Sequence, residues 1–265
     1  MTPTYLDEIL ATHRARAAGD TRDWRSRLDT VYYEGPSMFE ALSDPGQGNV
    51  AVIAEVKRRS PSKGWLAHNL DAPKLAALYQ LAGARAISVL TDETFFAGSA
   101  EDLRAVTASV TVPVLRKDFT VSANDVVDAA EMGASAVLLI VAALSNEELA
   151  SLLELAGVVG LDALVEVHDR VEARRAVEFG ARLIGVNQRN LRTFEVDPDH
   201  AATVIDSLPH EIVAVCESGL RSTADVERAA LAGFDAVLVG ETFVTAVDIE
   251  ATVRSFTGVA KVTRG

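Results

Sequence analysis

Eight short β-branched and aliphatic runs, near residues 50–56, 86–90, 112–116, 136–141, 163–167, 183–187, 212–216 and 236–239, alternate along this chain with stretches of helical spacing. Among those stretches, DAPKLAALYQLAGA, SANDVVDAAEMGA, DRVEARRAVEFGA and STADVERAALAGF open on Asp or Ser and close on Gly83, Gly133, Gly180 and Gly233, the punctuation of capped helices. Strand and helix in strict alternation imply a parallel sheet with helical crossovers. Eight such units in 265 residues fit a closed (β/α)₈ TIM barrel of the α/β class better than an open doubly wound sheet, which usually has fewer strands.

Residues 1–48 stand outside the repeat and residues 49–265 contain it. LDEILATHRARAAGD has helical spacing through Leu6, Ile9 and Leu10, and Ser37 to Leu42 gives a second short helix before DPGQGN. We read this as a helical extension covering the barrel, either a plain plug or a lid over its catalytic mouth. No Pro/Gly/Ser-rich linker separates the two parts, so one structural domain is expected.

A net charge of −13 argues against a nucleic-acid partner and against an anionic membrane surface, both of which require clustered cations. The lone Cys216 rules out a disulfide framework. No apolar stretch reaches the ~18–20 residues that span a bilayer, and no signal-peptide pattern is present, so a cytoplasmic location is expected. The partner indicated is a small molecule, met by a chain that we expect to be monomeric.

In a barrel of this kind the active site lies at the C-terminal ends of the strands. There the apolar runs end on polar groups: Glu55 and Lys57 in IAEVK, Lys117 in VLRKDF, Glu166 in ALVEVHD, Asn187 in IGVNQRN, and Glu217 with Ser218 in CESGL. Ionisable groups do not gather in a core without partners or a purpose. Two amines in one pocket suggest acid–base chemistry, and a lysine among other cations at low dielectric has its pKa lowered, so Lys117 is expected to release a proton near neutral pH. The alternative is that Lys117 merely closes a buried ion network with Glu55 or Glu217.

The loop RRSPSKG, with Arg58, Arg59, Ser60, Ser62 and Lys63, reads either as a solvated basic loop or as a holder for an anion. Gly219 and Gly240, in the loops after the seventh and eighth strands, lie where such barrels bind phosphate through backbone amides. Together they suggest a phosphorylated substrate. Five histidines without HxH or HExxH spacing argue against a catalytic metal, His168 and Asp118 included, and no dinucleotide or P-loop fingerprint points to a cofactor.

In order along the chain, IAEVKRRSPSKG, ISVLTDETFFAGS, VPVLRKDF, LLIVAAL, ALVEVHD, IGVNQRNL, TFEVD, ESGL and AVLVGE resemble the motifs of the indole-3-glycerol phosphate synthase family. The resemblance is dense from about residue 50 to 242 and extends to the N-terminal LDEIL helix. It implies a carbon–carbon lyase of tryptophan biosynthesis, with no cofactor and no metal. It assigns Lys117 as the acid that protonates the ketose oxygen during ring closure, and Lys57 and Glu166 as acid and base for dehydration. Glu55 and Glu217 would orient the lysines, Asn187 and Ser218 would hold the substrate, and Ser60, Arg189, Gly219, Gly240 and Glu241 would form the substrate- and phosphate-binding set. Two places depart from the family pattern: ETFVTAVD after the eighth strand, and Cys216 where Ala or Ser is usual. A phosphoribosyl isomerase, a Schiff-base aldolase on Lys117 and a non-catalytic barrel scaffold are the rival readings.

Overall fold

The computed structural model of the chain describes residues 4–43, 48–61, 63–189 and 196–262. Ser62 of the basic loop, Asn190 and Leu191 of IGVNQRNL, and 193–195 of TFEVD lie outside them, as do residues 44–47 of DPGQGN. Eight parallel strands close into a barrel: β1 (Ala51–Val56), β2 (Ala86–Leu90), β3 (Val114–Lys117), β4 (Ala136–Ile140), β5 (Asp162–Val167), β6 (Leu183–Asn187), β7 (Val213–Glu217) and β8 (Ala236–Val239). The ring shuts where β1 meets β8, with Ala51 opposite Ala236 and Ile53 opposite Leu238.

The sequence places the strands to within a residue or two. The third begins at Val114 rather than Val112, because Pro113 has no N–H for the ladder; its carbonyl still accepts from Ile87 N at 3.0 Å. That shift makes Lys117 the last residue of β3, and a similar one makes Glu217 the last of β7. Glycines end the helices as expected, with φ of 99°, 79°, 86° and 94° at Gly83, Gly133, Gly180 and Gly233.

Alternation along the strands divides the core in two. Val52, Ala54, Val114, Val165, Ile184, Ala214 and Val237 face outward and pack beneath the helices. Ile53, Leu115, Leu164 and Val215 fill the barrel interior. Two residues further along those four strands stand Glu55, Lys117, Glu166 and Glu217, which therefore point inward as well, one layer nearer the mouth. The outward phase also accounts for Cys216, which lies in the outer packing layer, away from the barrel interior.

The N-terminal extension does not simply cover the barrel. Helix α1 (Tyr5–Gly19) lies at the mouth, but α2 (Met38–Ser43) sits at the opposite end, where Met38 and Leu42 pack fully buried against Ala51, Ala86, Leu183, Val213 and Ala236, at or near the starts of their strands. Between them the chain runs down the outside, held by Arg22 to Asp128 at 2.9 Å and Arg27 to Glu131 at 2.6 Å. Asp162, at the foot of β5, clasps the bottom plug by accepting from Ser37 Oγ at 2.8 Å and Phe39 N at 3.0 Å. Replacing Asp162 by Ala leaves both donors without their acceptor and is expected to lower unfolding free energy by about 1–3 kcal/mol in urea titrations, with kcat unchanged below the melting range. Among the described residues no helix is long and apolar enough to cross a membrane.

Candidate active site

A cavity of about 430 Å³ opens at the C-terminal ends of the strands, and all twelve residues singled out from the sequence line it: Glu55, Lys57, Ser60, Lys117, Glu166, Asn187, Arg189, Glu217, Ser218, Gly219, Gly240 and Glu241. Tyr5, Leu6 and Ile9 of α1 contribute to its wall, so the extension takes part in the site. What docks α1 there is His13, which the sequence reading passed over. Its Nε2 lies 2.8 Å from Asp92 Oδ2 and 3.8 Å from Asp118 Oδ1, all three side chains being buried. These groups could gather a metal by distance alone. However, Asp92 also accepts from the Phe95 and Phe96 amides and Asp118 from Thr91, Arg116 and the Phe119 amide, so the cluster is a clasp between α1 and the loops that follow β2 and β3.

At the floor of the cavity Lys117 Nζ faces three carboxylates, from Glu217 at 3.6 Å, Glu166 at 3.7 Å and Glu55 at 4.0 Å. Lys57 Nζ pairs with the other oxygen of Glu55 at 2.6 Å. Asn187 Nδ2 donates to Glu166 Oε1 at 3.0 Å, and Asn187 Oδ1 accepts from Ser218 Oγ at 2.8 Å and from the Arg189 amide at 3.0 Å.

The expectation of a lowered Lys117 pKa is wrong. Burial does push the amine down, but Glu217, Glu166 and Glu55 outweigh it and hold Lys117 charged above its ordinary range. The cations adjacent in sequence do not face it: Arg116 turns outward to Asp118, 3.0 Å away, and to the Asp125 carbonyl. The three carboxylates in turn divide. Burial opposes ionisation of Glu166, yet Lys117, His168 and Asn187 prevail and hold it down at about 2. Glu217, raised first by burial and then by the charge of Glu166, is pushed up to about 8, and its Oε1 is buried with no hydrogen-bond partner. Of these two carboxyl groups, Glu166 is thus the one whose charged form is favoured and Glu217 the one whose neutral form is favoured.

Two glycines make room for these groups. A Cβ at Gly185 would run into Glu217 Oε1, and one at Gly240 would meet Glu55 Oε1 and Lys57 Nζ. Gly185 went unremarked in the sequence because an isolated glycine in a strand carries no chemical signature. Gly240, read as a point of backbone approach to phosphate, also guards the Glu55–Lys57 pair. Ser218 and Gly219 are consecutive left-handed residues, with φ of 70° and 74°, and a Cβ at Gly219 would strike Val196. Ser60 is buried, and its Oγ accepts from Lys63 N at 3.2 Å, folding the basic loop back over the cavity edge. Arg59 of the same loop donates to the Thr94 and Phe95 carbonyls, and Arg58 pairs with Asp102, so these two cations serve the loop rather than a ligand.

A family model described as indole-3-glycerol phosphate synthase matches residues 6–256. A relative of that name from Rhodococcus opacus (strain B4) is 54% identical over 249 residues, covering 92% of this chain and 91% of its own. Another from Chlorobium chlorochromatii (strain CaD3) is 44% identical over 242 residues, covering 90% and 94%. Among solved structures, 3-hexulose-6-phosphate synthase from Salmonella typhimurium is similar with a TM-score of 0.65 at 15% identity, over 78% of this chain and 96% of that one. That likeness bears on the fold alone.

Proposed function

The chain belongs to the indole-3-glycerol phosphate synthase family, and on that premise we propose which of its residues carry the reaction. The enzyme is a decarboxylating carbon–carbon lyase of tryptophan biosynthesis: it converts 1-(2-carboxyphenylamino)-1-deoxy-D-ribulose 5-phosphate to indole-3-glycerol phosphate with loss of CO₂ and water. Lys117 is the acid for the first step. As the ring carbon bearing the carboxylate attacks the ketose carbon, the Lys117 ammonium protonates the carbonyl oxygen, and a carbon–carbon bond forms in place of the C=O π bond. Breaking the bond to the carboxylate releases CO₂ and returns its electron pair to the ring. Lys57 then protonates the departing hydroxyl, and Glu166 Oε2 accepts the proton lost as the five-membered ring becomes aromatic.

The observation that carries this reading is the placement of Lys117 within 4.0 Å of three carboxylates from three other strands, one of which, Glu55, also pairs with Lys57. Its ammonium stays loaded with a proton, and the proton that Glu166 takes up in the last step can pass to the spent Lys117 amine, 3.7 Å away, between turnovers. Glu55 and Glu217 hold the lysines. Asn187 and Ser218 orient the substrate. Ser60, Arg189 and the backbone of Gly219 and Gly240 suit the phosphate, whereas Glu241, itself an anion, suits a sugar hydroxyl. We take the catalytic unit to be a monomer made of the 1–48 extension and the 49–265 barrel together. A biosynthetic enzyme of this kind suits the cytoplasm.

The test is turnover of the carboxyphenylamino ribulose phosphate, followed by indole fluorescence and CO₂ release. Glu166→Gln is expected to slow indole formation by about 10²-fold or more while CO₂ is still released in a first-turnover burst. Loss of both signals together would move Glu166 to the ring-closing step. Full activity would remove it from the mechanism.

A further inference from the structure

Two residues past Glu166, at the end of β5, His168 is left without a role by the chemistry above. We propose that His168 and Glu172 form a clamp behind Glu166, fixing one of its oxygens and leaving the other for proton transfer, so that both act as positioning residues. The inference rests on the reading of Glu166 as the base.

His168 Nδ1 lies 3.1 Å from Glu172 Oε2, in the first turn of the helix Arg170–Glu178 that follows β5. The same oxygen accepts from the His168 amide at 2.8 Å, so ring and backbone are fixed by one acceptor. A carboxylate can only accept, so Nδ1 carries a proton. The other nitrogen, Nε2, is buried 3.4 Å from Glu166 Oε1, near enough for a charge contact but without an aligned hydrogen bond. His200, from the helix Pro198–Ile205, meets the His168 carbonyl through Nε2 at 2.7 Å and steadies the turn.

A ring with a carboxylate at each nitrogen favours the doubly protonated form. Burial opposes that charge, but Glu166 and Glu172 outweigh it and push the imidazole up to about 10. Asn187 donates to the same Glu166 Oε1 at 3.0 Å, so this oxygen has one hydrogen bond from the amide and one charge contact from the imidazole. Oε2 is left facing Lys117 at 3.7 Å and the cavity. The groups facing the imidazole are thus Glu166 and Glu172, with Lys117 beyond Glu166 and His200 at the carbonyl. Neither His168 nor Glu172 lines the cavity, so any effect on turnover passes through Glu166. The imidazolium joins Lys117 and Asn187 in favouring the charged form of Glu166.

The experiment pairs pH profiles of kcat with imidazole nitrogen NMR of the full chain. In the wild type, His168 is expected to stay doubly protonated until pH rises towards about 10. His168→Ala is expected to lower kcat roughly 10- to 100-fold, the scale for groups that orient a functional side chain from behind, with KM within about twofold. The acid limb of its kcat profile moves up by about one pH unit, because Glu166 has lost a neighbouring cation. His168→Gln, which restores an N–H donor without charge, recovers part of kcat but not the acid limb. Glu172→Gln lowers the imidazole midpoint and shifts the limb in the same direction; it carries the test if His168→Ala fails to fold. An imidazole that titrates near the ordinary ~6.5, or an unmoved acid limb in Glu172→Gln, overturns the clamp. Full turnover by Glu166→Gln beside an imidazole of raised midpoint would instead fault the base assignment and leave the clamp's geometry intact.

Discussion

Lys117→Ala is expected to lower kcat by about 10⁴-fold, the upper end for a single general acid, because the same ammonium that protonates the ketose oxygen also holds three carboxylates in place. Its effect on folding depends on pH. In the wild type, the folded pKa of Lys117 lies above its unfolded value, so its stabilisation is complete below about 10.4 and is lost only at higher pH. Without the ammonium, Glu55, Glu166 and Glu217 keep only Lys57 as a neighbouring amine, and their folded pKa values rise. Groups with raised pKa are bound to protons in the folded state and ionised in the unfolded one, so the variant loses stability as pH climbs through the neutral range. Melting followed by circular dichroism is expected to give a small deficit at pH 5.5 and one of a few kcal/mol at pH 8.5. Turnover within tenfold of wild type would end the acid assignment, and a deficit independent of pH would contradict the account of the cluster.

The second large effect is expected from Gly185→Ala, a change of one methyl group in a strand that holds no proposed catalytic acid or base. The new Cβ occupies the place of Glu217 Oε1, which already lacks a hydrogen-bond partner and has Leu164 Cδ1 beside it. The carboxyl can yield only towards the cavity, where it disturbs Lys117 and takes space from the substrate. A fall in kcat/KM of about 10²-fold or more is expected, with a stability loss of about 1–3 kcal/mol from overpacking. Adding Glu217→Ala is expected to recover the stability without the activity, a non-additivity that assigns the clash to this pair. If the double variant is no more stable than Gly185→Ala alone, the clash lies elsewhere in β6.

The barrel was legible because parallel strands buried on both faces must be continuous apolar runs, and the runs that end in VLRK, VEV and CE break that rule only at the mouth. Which charges face each other was less legible. Two amines in one pocket suggested a cationic surrounding for Lys117, but its neighbours in space are carboxylates from β1, β5 and β7, and Arg116 belongs to the other face of the same strand. Alternation predicts that reversal once the strand phase is fixed, and Leu115 in the interior fixes it. His13 and Gly185 were missed, and His168 was weighed only as a metal ligand, for a different reason. Each acts on a partner distant in sequence or through a group that it merely touches, and neither composition nor spacing marks such a residue. The split of the extension between two ends of the barrel was hidden similarly, since Met38 and Leu42 read as an ordinary amphipathic turn until the strand starts converge on them.

That closure has a consequence for how the chain comes to be folded. β1 is made early, yet its partner β8 follows only about 180 residues later, and α2 has a complete bottom layer to enter only once Ala236 has joined Ala51. At ~5–20 residues per second of synthesis, one edge of β1 stays unpaired for roughly 10–40 s on a ribosome. During that interval the run VAVIAEV exposes both a ladder edge and an aliphatic face, which makes it the segment most in need of a chaperone and sets the last strand, not the first, as the gate to the native state.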